Sequence, residues 1–442
     1  MPAETSIPVS ADALAHSQRV SAFLRAQIQE QGGWLPFSQW MHHVLYAPGL
    51  GYYAAGSVKL AEATMSTLPY ETQSDAQHSN GNSNGNSNDN GNSNGNSNSN
   101  GNGNGNGNGN GNGNGNSRGA ISGDFVTAPQ LTPLFGYTLA GQVLEVLQQA
   151  DSTDILEFGA GSGALAHSVL SALDSLGVNA SYFILEVSAD LKTRQQQLLA
   201  PWGNRVVWLD RTPSQFRGCI LANEVLDAMP VELFAWSEHA EQVLQRGVVS
   251  GDEGFQYQDR VAPAVLEQAV RARMPYLPGY RSEINLQAEA WVRDLSTWLT
   301  KGAAILIDYG FPQHEFFHPQ RQRGTLMCHI QHRAHDDVFL APGLQDITAH
   351  VDFTAIAEAG FAAGLEVLGY TSQARFLLNS GLPELLNKLD QTDTKALAQT
   401  HGAVQKLLSE AEMGELFKVM VLSRGLDQIL SGFSRGDRSA QL

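Results

Sequence analysis

Eleven residues constrain this chain more than any others: Ile155-Leu156-Glu157-Phe158-Gly159-Ala160-Gly161-Ser162-Gly163-Ala164-Leu165. They read as a short apolar strand, a glycine turn and the start of a helix. Glycines at alternate positions let the backbone turn sharply and come close to a ligand, because no Cβ stands in the way. The helix that follows offers unpaired N–H groups at its N-terminus, a ready site for a polar or anionic group. Glu157 sits at the strand end, beside the turn. Two readings stand at this point, a nucleotide-type cofactor site and a plain strand–helix corner.

From Asp154 onward the chain alternates strand and helix. Strands are expected at Ile155 to Phe158, Tyr182 to Leu185, Arg205 to Leu209, Cys219 to Ala222 and Ala303 to Ile307. These are near-continuous apolar runs, as in a parallel sheet covered on both faces. The last four each end in a polar residue (Glu186, Asp210, Asn223-Glu224, Asp308), the first carries Glu157 beside the glycine turn, and ligands bind at the carboxyl ends of such strands. Late strands at Leu365 to Tyr370 and Phe417 to Ser423 would form the other edge. The gap of residues 231–302 is too long for one crossover helix and reads as an inserted subdomain with hairpin strands and an amphipathic helix from Leu286 to Trp298. With the N-terminal helices it would roof the ligand edge of the sheet.

Residues 1–69 form an N-terminal helical segment in this reading. Ser10 caps a helix carrying Leu14, Val20, Phe23, Leu24 and Ile28, and a second helix starts near Pro36. The turn Tyr46-Ala47-Pro48-Gly49-Leu50-Gly51-Tyr52-Tyr53 follows, its tyrosines serving either packing or a substrate pocket. Residues 70–118 alternate Gly and Asn, with almost no apolar side chains to offset the entropy of ordering them, so we expect a disordered insertion. The main domain then spans residues 119–442.

The net charge of -17 argues against binding nucleic acid or an anionic membrane, since phosphate contact needs clustered Lys and Arg. It is compatible with a basic or neutral substrate. The two cysteines, Cys219 and Cys328, lie in apolar runs and read as buried thiols of a reducing compartment. Met1 to Ser10 lacks the pattern of a secretory or transit signal, and no run is long and apolar enough to span a membrane. These features suggest a cytoplasmic bacterial enzyme without membrane insertion, for which a homodimer is a permitted assembly.

Three clusters carry candidate chemistry. Glu186 follows the first glycine at roughly the distance expected of an acid that accepts hydrogen bonds from ribose hydroxyls; a helix-start carboxylate is the rival reading, because Ser188 follows closely. Asp210 would border an adenine or sit in a surface turn. In Asn223-Glu224-Val225-Leu226-Asp227-Ala228-Met229-Pro230, Glu224 and Asp227 share one face of a helical turn. Two such acids are costly to bury unless a cationic substrate group neutralises them. Six histidines fall between His314 and His350, with His329, His332 and His335 spaced by three. The ligand set for zinc is incomplete, so no metal is expected and the histidines read as pocket residues.

At these residues the sequence resembles the MidA methyltransferases, class I S-adenosylmethionine enzymes whose mitochondrial members assist assembly of respiratory complex I. Gly123-Asp124-Phe125-Val126-Thr127-Ala128-Pro129 looks like the opening motif of that family. The match runs on through the glycine turn, the Asn223 to Pro230 segment, Asp308-Tyr309-Gly310, Gly324-Thr325-Leu326 and Gly343 to Phe353. Apart from the Gly/Asn insertion it covers nearly the whole chain. The resemblance implies an α/β, Rossmann-like sheet with helices on both faces, and methyl transfer from S-adenosylmethionine to a protein, at an arginine in the mitochondrial members. A respiratory-complex subunit is the kind of partner it suggests. It implies cofactor contacts at Gly123, Asp124, Thr127, Pro129, Gly159, Gly161, Gly163 and Glu186; the positions at the strand ends add Glu157, Asp210 and Asn223, and the chemistry of a cationic acceptor points to Glu224 and Asp227, with Asp308 behind them, as catalytic carboxylates. Gln130 departs from the family, which more often has Glu there. Two rival functions remain at this level, a non-catalytic assembly factor and an NAD-dependent oxidoreductase. The close spacing of the third glycine disfavours the latter.

Overall fold

The computed structural model describes residues 10–54, 127–331, 333–390 and 392–442. The Gly/Asn insertion, Gly123 and Asp124 lie outside these. Seven strands build the sheet that positions the site: β1 (Asp154–Phe158), β2 (Ser181–Leu185), β3 (Val206–Leu209), β4 (Phe216–Asn223), β5 (Leu299–Phe311), β6 (Glu366–Ser372) and β7 (Phe417–Arg424). Their order is β3-β2-β1-β4-β5-β7-β6, and a two-residue strand, Val351–Asp352, adds to the end of β5. β1 to β5 run parallel, whereas β7 is antiparallel to both its neighbours.

The apolar runs in β4 and β5 explain why this sheet is central. Side chains alternate across a strand. Cys219, Leu221, Ala303, Ile305 and Ile307 enter one buried cluster, while Ile220, Ala222, Ala304 and Leu306 enter another. Both faces are therefore dry, and helices cover both: Pro133–Ala150 and Ala164–Ser175 belong to the first cluster, Leu286–Trp298 and Phe353–Ala362 to the second. The chain steps outward from β1 to β3, then returns to β4 and continues the other way. The reversal opens a crevice at the carboxyl ends of β1 and β4, where such sheets bind ligands.

Residues 232–284 supply four strands of a second sheet, Glu232–Trp236, Val243–Gly251, Gly254–Val261 and Arg281–Ile284. Leu35–Pro36 completes it by pairing with Val248 and Gly247. The helices Ala11–Glu30 and Phe37–Tyr46 pack here through Val20, Leu24, Ile28, Trp40 and Met41, which share a buried cluster with Val231, Leu233 and Val248. Leu14, expected on that buried face, is 54% exposed: it lies in the first turn, ahead of the residues that reach the cluster. Ser10 caps the first helix as expected, accepting from the amide of Ala13.

Two glycines set how closely the central strands approach. Gly218 and Gly302 are register partners with φ of 144° and 141°. A Cβ on Gly218 would lie 2.1 Å from the Asp154 carbonyl oxygen. That oxygen is backbone and has nowhere to go. Gly218→Ala should therefore cost about 2–4 kcal/mol of stability, read from denaturant unfolding, because strain and a backbone clash act together.

Candidate active site

The crevice is a cavity of about 880 Å³, large enough for a nucleoside cofactor together with an acceptor side chain. The glycine turn forms its floor. Gly159, Gly161 and Gly163 have φ of 61°, 56° and 83°, a left-handed conformation that a Cβ would oppose. Gly159 and Gly161 line the cavity. Gly163 does not: it is the N-cap of the helix Ala164–Ser175 and packs against Gln195 and Leu198. Glu157 is buried at the end of β1 and accepts the Tyr182 hydroxyl at 2.9 Å. Burial pushes its carboxyl up to about 8, opposed by that hydrogen bond.

Glu186 lines the cavity at the end of β2. One oxygen accepts from the Ser188 amide and the other from Gln195 Nε2, both at 2.9 Å. The helix-start bond considered for Glu186 is thus present, and a carboxylate has lone pairs left for hydroxyl donors. Asp210 lies at the rim, its side chain 94% exposed and paired with Lys192 at 3.5 Å. Thr127, Pro129 and Gln130 form another wall. Gln130 closes a capping box on Thr127, whose amide it meets at 3.3 Å. Glu or Gln serves that box equally well, so the departure at Gln130 costs this role nothing.

The second acidic cluster sits at the end of β4. Glu224 has φ of 54°, unusual for a residue with a side chain, and its amide bonds to the Ile307 carbonyl. Asn223 Nδ2 donates to Glu224 Oε1 at 3.0 Å. Tyr309 donates its hydroxyl to Asp227 Oδ2 at 2.5 Å. Among the described residues, Asn223 Oδ1 and Asp227 Oδ1 are buried acceptors without a hydrogen-bond partner. Burial and the charge of Asp227 push Glu224 up to about 8, and burial raises Asp227 as well. Asp308 does not line the cavity and so cannot touch a substrate there. It is completely buried behind the turn, and its Oδ2 accepts from the amides of Val225, Leu226 and Asp227 at 3.2, 2.9 and 3.3 Å. The strand pattern located Asp308 correctly, but the turn folds over it and takes its lone pairs.

Side chains outside the expected cofactor and catalytic sets complete the cavity. Tyr46, Tyr52 and Tyr53, from the tyrosine-rich turn, line it together with His42, His329 and Asp346. Tyr46 and Tyr53 stack at 5.4 Å with an interplanar angle of 22°. Tyr46 donates to the Ala228 carbonyl, and Tyr53 to Asp346 Oδ1 at 2.8 Å. The tyrosines are thus pocket walls. Asp346 belongs to the quoted Gly343 to Phe353 segment, but nothing local marks it as a pocket residue. His332 lies outside the described residues. Among those described, no group of three or more His, Cys, Asp or Glu is placed to hold a metal ion, and no helix is long and apolar enough to cross a membrane.

The family model for S-adenosyl-L-methionine-dependent methyltransferases matches residues 138–371, more than half of the chain. A protein of Burkholderia thailandensis, crystallised with S-adenosyl-homocysteine, is 43% identical, with a TM-score of 0.81 over 99% of this chain and 100% of that one. The chain belongs to the MidA family of S-adenosylmethionine-dependent methyltransferases. A native crystal structure of a Burkholderia thailandensis protein is likewise 43% identical, with a TM-score of 0.80 over 99% of this chain and 100% of that one. Among curated relatives, the mitochondrial protein arginine methyltransferase NDUFAF7 of Mus musculus is 29% identical over 343 residues, 68% of this chain and 74% of that protein. The Danio rerio protein of the same name is 26% identical over 337 residues, 67% and 75% of the two chains. The sheet is thus that of a class I methyltransferase, and the cofactor of this MidA-family enzyme is S-adenosylmethionine.

The site fits that cofactor by its own chemistry, since a left-handed glycine turn, a helix N-terminus whose N-cap Gly163 offers no side chain, and the Glu186 carboxylate meet at one cavity. Its acids also set a pH response. A carboxyl raised by burial holds its proton in the folded protein through a range in which the unfolded chain has lost it. Glu157 and Glu224 therefore favour folding at low pH, and this contribution fades as pH rises from their ordinary value of 4.5 through about 8. A bound cation reverses the effect on Glu224. Cofactor or acceptor binding near pH 7 should release protons, measured by calorimetry in buffers of different ionisation enthalpy, and Glu224→Gln should reduce the release.

Proposed function

We propose that this methyltransferase acts on an arginine side chain of a protein. The observation that carries the reading is Asp227 Oδ1, a buried acceptor with no partner among the described residues, beside Glu224 in a cavity walled by tyrosines. A buried orphan acceptor costs about 1–3 kcal/mol, which a donating ligand recovers. A guanidinium is always protonated, carries five N–H donors and stacks its flat face on aromatic rings. Glu224, Asp227 and Asp346 supply the negative charge, and the stacked Tyr46 and Tyr53 the faces. The names of the mitochondrial relatives support the same acceptor. A subunit of a respiratory complex is the protein partner that the family resemblance offers.

At the other end, Gly159 and Gly161 let the backbone approach the methionine part of the cofactor, and Gly163 shapes the turn. Glu186 accepts from the ribose hydroxyls, and Asp210 borders the adenine at the rim. Thr127 and Pro129 close the near wall; for Gly123 and Asp124, outside the described residues, a cofactor contact rests on the family resemblance alone. Glu157 and Asn223 complete the contacts between the two ends. The bound cofactor would supply a methyl group on a positively charged sulfur.

The protein's task is then alignment, exclusion of water and disposal of one proton. Glu224 orients the guanidinium with charge-assisted bonds. The acceptor nitrogen sheds a proton as it gains the methyl group, and Asp227 takes it, the Tyr309 hydroxyl remaining on its other oxygen. Asp308 holds the turn that carries both acids, as a positioning residue.

Incubation with methyl-labelled S-adenosylmethionine and a lysate, followed by mass spectrometry, should find the label on arginine. Asp227→Asn and Glu224→Gln should each lower turnover by about 100-fold, the scale of a lost general base or charge clamp, while cofactor affinity stays within about threefold. Label found on lysine, or undiminished turnover in Asp227→Asn, would contradict the reading.

A further inference from the structure

Gln195, on the helix Ala189–Leu198, is completely buried and makes three polar contacts. Its Nε2 donates to the Gly161 carbonyl at 2.9 Å and to Glu186 Oε2 at 2.9 Å, and its Oε1 accepts from Trp208 Nε1 at 2.9 Å. A side-chain amide can turn over, exchanging oxygen for nitrogen, but here only one orientation works. An indole N–H is a donor only, whereas a carbonyl and a carboxylate are acceptors only. Trp208 therefore holds the amide oxygen and leaves both N–H groups to the turn and the acid. Gly163 packs on the same side chain: a Cβ there would come 3.4 Å from Gln195 Cγ.

We infer that Gln195 is a positioning residue of the cofactor site, fixing the glycine turn and the Glu186 carboxylate to one another, with Trp208 setting its orientation. No other side chain of similar size does this. Glu would bring a second carboxylate against Glu186 and offer no donors. Met fills the space but leaves the turn carbonyl, the acid and the indole each short of a partner. The inference rests on the reading that Glu186 holds the ribose. If so, losing Gln195 weakens the grip on the ribose in particular, because Glu186 then keeps only the Ser188 amide on Oε1 and its Oε2 is left unanchored.

The test is calorimetric binding of S-adenosyl-homocysteine and its 2′,3′-dideoxy analogue to the full-length parent, Gln195→Met, Trp208→Phe, Glu186→Gln and the double variant Gln195→Met/Glu186→Gln. The parent should prefer the complete ribose by about 30-fold, the scale of two hydroxyl hydrogen bonds. Gln195→Met should bind S-adenosyl-homocysteine about tenfold more weakly and keep only a few-fold preference. Trp208→Phe should fall between them, and it gives the answer if Gln195→Met fails to fold. The double variant should bind no more weakly than Glu186→Gln alone, since both changes remove one interaction. A general loosening of the fold would weaken both ligands alike. Glu186→Gln losing the ribose preference while Gln195→Met and Trp208→Phe keep it would overturn the role of Gln195 and leave the Glu186 reading standing. Parent-like preference in Glu186→Gln would overturn the ribose reading, and the inference with it.

Discussion

One carboxylate oxygen, Asp308 Oδ2, accepts from three successive backbone amides and so fixes the turn of Val225, Leu226 and Asp227 against β5. Its other oxygen accepts from the Tyr309 amide at 3.0 Å. Few side chains can gather that many orphan donors in a dry interior, and a neutral amide would offer one acceptor where these donors need two. The left-handed backbone at Glu224 is held by this clamp together with the bond from its own amide to β5. Tyr309, next in the chain, then meets Asp227. A single buried carboxyl group thus specifies the backbone of the acidic turn and, through it, the directions of both acids facing the cavity.

The electrostatics of the site follow from that arrangement. Glu224 and Asp227 are drawn close by the turn, and burial withholds the water that would separate their charges. Their carboxyls rise together, and Asp308 is raised by burial and by both neighbours. Such a cluster is poorly stable on its own and well matched to a cation. Arg194 and Arg211 line the cavity too. They come from the segments that flank the Glu186 and Asp210 wall, where Arg194 pairs with Asp190 at 3.2 Å.

The sheet was largely legible in the sequence because a strand buried on both faces leaves an uninterrupted apolar run, as β4 and β5 do. The polar residue after each run marked the ligand edge, and the glycine turn marked where along it. The strand Leu35–Pro36 was not legible: two residues carry no periodicity, and their partners lie more than two hundred positions away. Asp308 stood at the correct strand end, yet its direction depended on a turn folding over it. Asp346 and Gln195 reach the site from segments whose local pattern gives only a short strand and a helix. The roles of the tyrosines stayed open until the N-terminal helices were docked on the second sheet. What sequence conveys here is local period and punctuation; what it withholds is which distant side chains share a pocket.

The central claim is that one cavity joins a cofactor at the glycine turn to a positively charged acceptor at Glu224 and Asp227. A crystal structure with S-adenosyl-homocysteine and an arginine peptide tests it most directly. The account predicts the sulfur between Gly161 and Asn223, and the guanidinium hydrogen-bonded to Asp227 Oδ1 and to Glu224. A nucleoside lodged away from the glycine turn, or a guanidinium bound with neither acid in contact, would contradict it.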